Sequence, residues 1–182
     1  YDNKKFYKIL KKQKLNLIKC KYILIRQDPP FNQEYISTTL ILETIKNKVK
    51  IINNPTAIRN ISEKLYSVKY LRFMPNTIFT QNIEEIKEFF KKNKRVILKP
   101  IYSFSGNDIH LLNKFKLKLI ERLIYQYDYL MCQKYLPKIS KGDKRVFLIN
   151  GKICGAISRV PKKGSYLSNM SKGATAENTQ LT

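Results

Sequence analysis

YILIRQDPPF, residues 22–31, is the stretch on which the fold turns. Its apolar run ends abruptly in Arg26, Gln27 and Asp28, followed by two prolines. Continuous apolar residues suit a parallel strand covered on both faces, and Pro29 and Pro30 cannot extend a hydrogen-bonded ladder, so the chain must turn there. The run predicts a strand over 22–26 that delivers Arg26, Gln27 and Asp28 to a crevice, because ligands in open α/β sheets bind outside the carboxyl ends of strands. A strand followed by a Pro-Pro turn with solvated charges fits the same residues equally well. Other segments must decide between them.

The surrounding chain has 182 residues, enough to bury a real core. It opens on Tyr1 rather than Met and closes on GATAENTQLT (173–182), a polar stretch without strand or helix period, so a loop is expected there and truncation at both ends. No apolar run approaches the roughly 18 residues that span a bilayer, and no signal-peptide pattern is visible. A cytoplasmic location without a membrane partner is expected. Cys20, Cys132 and Cys154 are odd in number, far apart and in or beside apolar segments, which predicts reduced core thiols rather than disulfides or zinc.

An excess of 36 Lys and Arg over 13 Asp and Glu gives a formal charge of +23, ordinarily a pointer to nucleic acid or an anionic membrane. The basic residues are spread along the chain, densest at Lys4, Lys5, Lys8, Lys11, Lys12, Lys14, Lys19 and Lys21. The sequence is also rich in Ile, Asn and Tyr, as AT-rich coding would make it. No RNP aromatic signature, C2H2 spacing or helix-turn-helix glycine accompanies the charge. Nonspecific polyanion binding at low salt is expected, with no specific nucleic-acid partner.

Working outward, residues 1–21 read as a basic helix or loop. Asn32 caps a helix over 33–46 with Ile36, Leu40 and Ile45 among its buried positions, and a short strand follows at 49–52. Asn53-Asn54-Pro55 opens another helix, since Asn caps and Pro is tolerated in the first turn. A further one starts at Ser62 with Glu63 and Lys64 and runs to about Tyr70, before Met74-Pro75 stops it. From Thr77 an α+β unit is predicted: strand 77–79, helix 83–92 with Ile83, Ile86 and Phe90 on one face, and strand 95–99. A loop over 101–107, strand 108–112, helix 114–125 and strand 129–133 complete it. Asn150-Gly151 is the strongest hairpin signal in the chain, flanked by strands 145–149 and 152–160. After Pro161 the Gly/Ser/Asn-rich sequence reads as a mobile loop.

The chemistry gathers at strand ends. VILKP (96–100) puts Lys99 at the end of a strand, directly before the loop YSFSG (102–106), where a lysine can hold a phosphate while loop N–H groups and small hydroxyls cradle its neighbours. Its partner strand supplies MCQKYLP (131–137), which leaves into an extended segment able to offer backbone groups to a purine edge. Asp143, Lys144 and Arg145 open the next strand, and Arg159 lies on the returning one. Alternation can set Arg145 and Arg159 on one face, where guanidinium forks suit phosphate or carboxylate. Each element has an ordinary alternative: a solvated lysine, a connector, cheap surface arginines. His110, the only histidine, lies on an apolar strand and reads as packed core rather than as a base.

Taken in order, RQDPPFN (26–32), NNPTAIRNISEKL (53–65), ILKP (97–100), QKYLPKISKGDKRV (133–146) and SRVPKKG (158–164) resemble the prokaryotic glutathione synthetases of the ATP-grasp superfamily. DPPF and GDKR are the elements specific to that family. The resemblance implies an α/β ATP-grasp fold preceded by a partial preATP-grasp domain. Residues 1–72 would form the substrate-side domain and connecting helices, 73–133 the small ATP-grasp subdomain, and 134–182 the start of the large subdomain. It implies ATP-dependent ligation of γ-glutamylcysteine and glycine through an acyl phosphate, giving glutathione, ADP and phosphate. Such chemistry gathers anionic oxygens and so needs cations and positioning more than an acid/base pair.

By the same resemblance Lys64 and Lys99 match the two nucleotide-binding lysines, and Ser105 and Gly106 fall in the phosphate loop. Gln133, Lys134, Tyr135 and Leu136 match the adenine-contacting hinge, and Asp143 an acceptor for ribose hydroxyls. Arg145 and Arg159 match the catalytic arginines near the γ-phosphate and acyl phosphate. Arg26, Asp28 and Asn169 fall at substrate-side positions. Homo-oligomerisation is compatible with the family.

The chain also departs from that pattern. The family's glycine-rich phosphate loop here reads Ser103-Phe104-Ser105-Gly106, so any positive φ at a serine becomes costly. Leu167 and Thr175 stand where the closing loop carries arginines, while Asn169 and Gly173 persist. ATP and Mg²⁺ are the implied cofactors, with the metal ligands expected beyond residue 182 and none within the chain. These 182 residues are therefore expected to be inactive alone. Three rival readings are a noncatalytic nucleotide-binding remnant, another ATP-grasp carboxylate-amine ligase and, on charge alone, a polyanion-binding protein.

Overall fold

The computed structural model describes residues 10–62 and 64–181. Lys4, Lys5 and Lys8 of the basic run, and Glu63 at the start of an expected helix, lie outside them. Contacts divide the chain into two compact units, Tyr1–Ser62 and Glu63–Thr182.

In the first unit a single 3-10 turn, Leu17–Lys19, precedes strand β1, Tyr22–Leu24. Asn32 accepts from the Tyr35 N–H at 3.0 Å and caps helix α1, Gln33–Glu43, while Asn54 does the same for Ala57 at 3.1 Å and caps α2, Pro55–Asn60. Strand β2, Lys50–Ile52, lies between the helices in sequence and pairs parallel with β1. Parallel pairing follows from the intervening helix, since two such strands need a crossover. The expectation of a strand covered on both faces is corrected: Tyr22 and Leu24 are 52% and 62% exposed, because the sheet has only two strands and its core side takes Ile23. The buried face of α1 also differs. Thr39 and Leu42 are buried, whereas Leu40 is exposed and Ile36 and Ile45 are half-buried. The helix is seated through Thr39, whose hydroxyl accepts from Arg59 Nη1 at 3.2 Å, and through Glu43, which binds Thr56, Lys46 and Arg59. These contacts hold its carboxyl down to about 2.

The second unit starts with a 3-10 helix, Leu65–Phe73, in place of the expected α-helix. Lys64 gives it no side-chain cap, Tyr70 breaks its geometry, and Met74 is extended before Pro75. A four-stranded antiparallel sheet follows in the order β3-β6-β4-β5, formed by Thr77–Thr80 (β3), Val96–Pro100 (β4), His110–Leu112 (β5) and Leu130–Lys134 (β6). Strand β5 starts later than expected because Asp108 adopts a left-handed φ of 51°. Helices α3, Ile83–Asn93, and α4, Leu117–Tyr127, pack on one face of this sheet. There Ile86, Phe89, Val96, Leu98, Leu112, Ile120, Leu123, Leu130 and Cys132 form one buried cluster. Each large side chain so buried contributes about 1.5–3 kcal/mol. Cys132 is part of this core, and burial pushes its thiol up to about 12. Cys154 is exposed, against the expectation of a core thiol.

After a 3-10 turn, Pro137–Lys141, the chain forms the predicted hairpin of β7, Asp143–Ile149, and β8, Lys152–Val160. Asn150 and Gly151 both take positive φ, 51° and 77°, as a two-residue turn of the right twist requires. The polar tail expected to be a loop instead adds strand β9, Thr175–Asn178, to the free edge of β8. All four of its residues are exposed, so it had no apolar alternation to read.

Candidate functional site

Alternation along β4 sorts its side chains. Val96 and Leu98 enter the core beneath the helices, while Ile97 and Lys99 face the other way. Gln133 sits opposite Ile97 in the β4/β6 register and so shares that face. Lys99 Nζ donates to Gln133 Oε1 at 2.8 Å, and Gln133 Nε2 donates to Thr77 Oγ1 at 2.9 Å, a chain that fixes both the amide and the ammonium. A cavity of about 210 Å³ opens on this face. Lys134, Tyr135 and Leu136 line it as the chain leaves β6, with Ile139 and Asp143 beyond them and Tyr166, Leu167, Ser168, Asn169 and Ile109 contributed by later and neighbouring segments. The exit from β6 is tied down by Lys134 N to Asn76 O at 2.8 Å and Tyr135 N to Arg95 O at 3.0 Å.

Asp143 and Arg159 are direct partners in the β7/β8 register. Arg159 Nε and Nη2 reach the two carboxylate oxygens at 2.7 and 2.6 Å, a bidentate pair with the arginine side chain 14% exposed. A carboxylate offers about four lone-pair directions, so Asp143 keeps acceptor capacity toward the cavity. Arg145, two residues along β7, lies on the same face as Asp143 and Arg159 and is exposed.

The serine-containing loop lies beside the cavity. Ser103 is buried and gives its hydroxyl to Pro100 O at 3.1 Å, so it is not a donor toward a ligand. Ser105 is exposed with φ 54°, a left-handed conformation that is costly for a residue with a Cβ. Gly106, at φ 78°, packs so closely on Asn169 that a Cβ would come within 2.7 Å of Oδ1. Lys64 Nζ donates to the carbonyls of Ile101, at 3.3 Å, and Ser103. The stretch after Pro161, expected to be mobile, is bound to this loop: Lys172 Nζ reaches Asn107 Oδ1 at 2.8 Å and Ser171 Oγ reaches Ser105 O at 3.4 Å.

The cavity thus gathers seven of the sequence-derived candidates, Lys99, Gln133, Lys134, Tyr135, Leu136, Asp143 and Asn169. Arg159 joins it through Asp143, and Gly106 through Asn169. Arg26 and Asp28 are exposed in the first unit. Ile97, Ile109, Ile139, Tyr166 and Ser168 were missed as lining residues. Strand alternation from Lys99 would have found Ile97; the others depend on loop paths without a period. His110 is half-buried rather than core, its Nε2 3.8 Å from Asp108 Oδ1, and burial lowers its pKa. Among the described residues no three His, Cys, Asp or Glu side chains are grouped to hold a metal ion.

Known proteins similar to this chain identify its family. A model of the prokaryotic glutathione synthetase ATP-grasp domain matches residues 63–182, and one of the N-terminal domain of the same enzymes matches 1–59. Glutathione synthetase of Mesorhizobium japonicum is 38% identical over 97% of this chain and 58% of its own length. That of Bradyrhizobium diazoefficiens is 34% identical over 88% and 52%. The chain therefore spans little more than half the length of these relatives. A crystal structure of a D-cycloserine synthetase superposes with a TM-score of 0.66 at 12% identity, covering 91% of this chain and 62% of that one, a likeness of fold alone. With an α/β ATP-grasp fold and both family models matched in order along it, this chain belongs to the prokaryotic glutathione synthetase family.

Proposed function

We propose that the chain serves ATP-dependent ligation of γ-glutamylcysteine and glycine to glutathione, with the cavity between β4, β6 and β7 as the nucleotide site. The observation that carries this is the pairing of Lys99 with Gln133 on one wall and of Asp143 with Arg159 on the other, within a single cavity of an ATP-grasp domain. Residues 73–133 act as the small ATP-grasp subdomain and 134–182 as part of the large one, a division that the four-stranded and three-stranded sheets support.

In the reaction the cysteinyl carboxylate attacks the γ-phosphorus, ADP leaves, and the glycine amine then displaces phosphate from the acyl phosphate, losing a proton. Lys99 and Lys64 neutralise phosphate oxygens, and Gln133 to Leu136 present polar groups to the adenine edge. Asp143 accepts from the ribose. Arg159 and the exposed Arg145 meet the charge that develops on the transferring phosphoryl group. Arg26, Asp28 and Asn169 contact the peptide side. ATP and Mg²⁺ are the cofactors; no group of three His, Cys, Asp or Glu side chains among the described residues would hold the metal, which would supply positive charge to the phosphates.

The left-handed Ser105 favours a second reading, a nucleotide-binding protein without turnover. Phosphate release by a protein completed to the length of its relatives, measured with ATP, Mg²⁺, γ-glutamylcysteine and glycine, and with each omitted in turn, separates the two. Release that requires all four supports the ligase. ATP binding without stimulation by the dipeptide sinks the ligase and leaves the second reading.

A further inference from the structure

Strand β5 forms one edge of the four-stranded sheet, so among the described residues the outward N–H and C=O groups of this strand have no neighbouring strand. Tyr166 occupies that edge. Its hydroxyl donates to Ile109 O at 3.1 Å and accepts from Leu111 N at 3.4 Å, doing for one residue what a parallel partner strand does along its length. The ring is half-buried and lines the cavity, and the residues that follow it, Leu167 to Asn169, form the adjoining wall. Two positions on, Ser168 is 5% exposed with its hydroxyl lacking a hydrogen-bond partner among the described residues. Its hydroxyl therefore makes no hydrogen bond that would fix its place.

We propose that Tyr166 is a positioning residue: a side-chain latch that fastens the segment after β8 to the free edge of β5 and so sets the wall of the cavity. That the cavity takes a nucleotide rests on the function proposed above; the latch itself does not. Both hydrogen bonds come from one oxygen, so Tyr166→Phe removes the latch and keeps the packing of the ring.

The test compares the full chain with its Tyr166→Phe variant in three measurements. First, exchange of the Leu111 amide, which loses its acceptor, should quicken by about 5-fold, the size of one net hydrogen bond, while amides of β4 and β6 keep their rates. Second, trypsin should cut sooner at the exposed Lys162 and Lys163. Third, the affinity for ATP should fall by a similar factor of about 5. An unchanged Leu111 rate, or quickening spread evenly over the sheet, overturns the latch. Loss of protection at Leu111 with ATP affinity unaltered overturns its part in positioning the site. If the unaltered chain fails to bind ATP, the nucleotide reading fails, while Leu111 exchange and trypsin cleavage still decide whether the latch exists.

Discussion

Replacing Asp143 and Arg159 by alanine, singly and together, measures the pair that joins β7 to β8 at the mouth of the cavity. Two N–H donors meet two carboxylate oxygens at 2.7 and 2.6 Å, with the side chains 14% exposed for Arg159 and 33% for Asp143. An exposed pair contributes about 0.2–1 kcal/mol, whereas removing one partner of a buried pair costs about 3–5 kcal/mol. Partial exposure puts the coupling energy of this pair between those limits, at about 2 kcal/mol. The single variants should be unequal. Asp143→Ala strands the better-buried guanidinium and should cost more than Arg159→Ala, which leaves a carboxylate that water reaches. Urea unfolding of the four proteins followed by far-UV circular dichroism gives the cycle, and with a slope of about 2 kcal/mol/M the coupling appears as about 1 M in midpoint. Raising the salt should change it little, since a partly buried pair is poorly screened. A coupling below about 0.5 kcal/mol would mean that the pair behaves as a solvated surface contact, and the electrostatic account of the β7/β8 wall would be wrong.

Three further outcomes are expected. Lys99→Ala should weaken ATP binding by at least about 10-fold in calorimetric titration, the loss of one charged contact, and unchanged affinity would take Lys99 out of the site. At pH 8 a thiol reagent should modify the exposed Cys154 and spare Cys132, whose thiol is pushed up to about 12, until the protein is unfolded; early labelling of Cys132 would contradict the core described for β6. Glu43 is held at about 2 by its hydrogen bonds to Thr56, Lys46 and Arg59. A depressed carboxyl contributes stability above its unfolded value near 4.5 that is lost as pH falls toward 2, so Glu43→Gln should flatten the acid limb of unfolding for the first unit, and an identical limb would refute the linkage.

What the sequence disclosed depends on how local the deciding interaction is. Asn32, Asn54 and the Asn150-Gly151 turn announce themselves because a cap or a tight turn is settled within four residues. The site face of β4 was legible for the same kind of reason, since Lys99 must point away from the Leu98 side. Burial in the first unit was not, because it depends on how many strands flank β1, and an apolar run reads the same in a two-stranded sheet as in a wider one. Strand β9 was invisible: its backbone pairs with β8 while every side chain stays in water, so hydrophobic period has nothing to report. Tyr166 and Ser168 escaped because their place follows from the course of a loop, which only the folded chain fixes.

The loop around Ser105 shows how a left-handed serine is accommodated. Ser105 in the left-handed region costs about 1–2 kcal/mol relative to glycine. Contacts from outside the loop brace that shape. Lys64 donates to the carbonyls of Ile101 and Ser103, and hydrogen bonds to charged donors contribute about 1.5–3 kcal/mol each before ordering is counted. Lys172 and Ser171 bind Asn107 and Ser105 of the same loop. A lysine proposed to grip phosphate is therefore also a brace of the loop that carries Ser105. Removing it would lower nucleotide affinity through the loop even if its ammonium never met a phosphate oxygen, so such a loss cannot by itself establish contact. Lys99 donates to the side chain of Gln133, so its removal reports on the β4/β6 wall of the cavity.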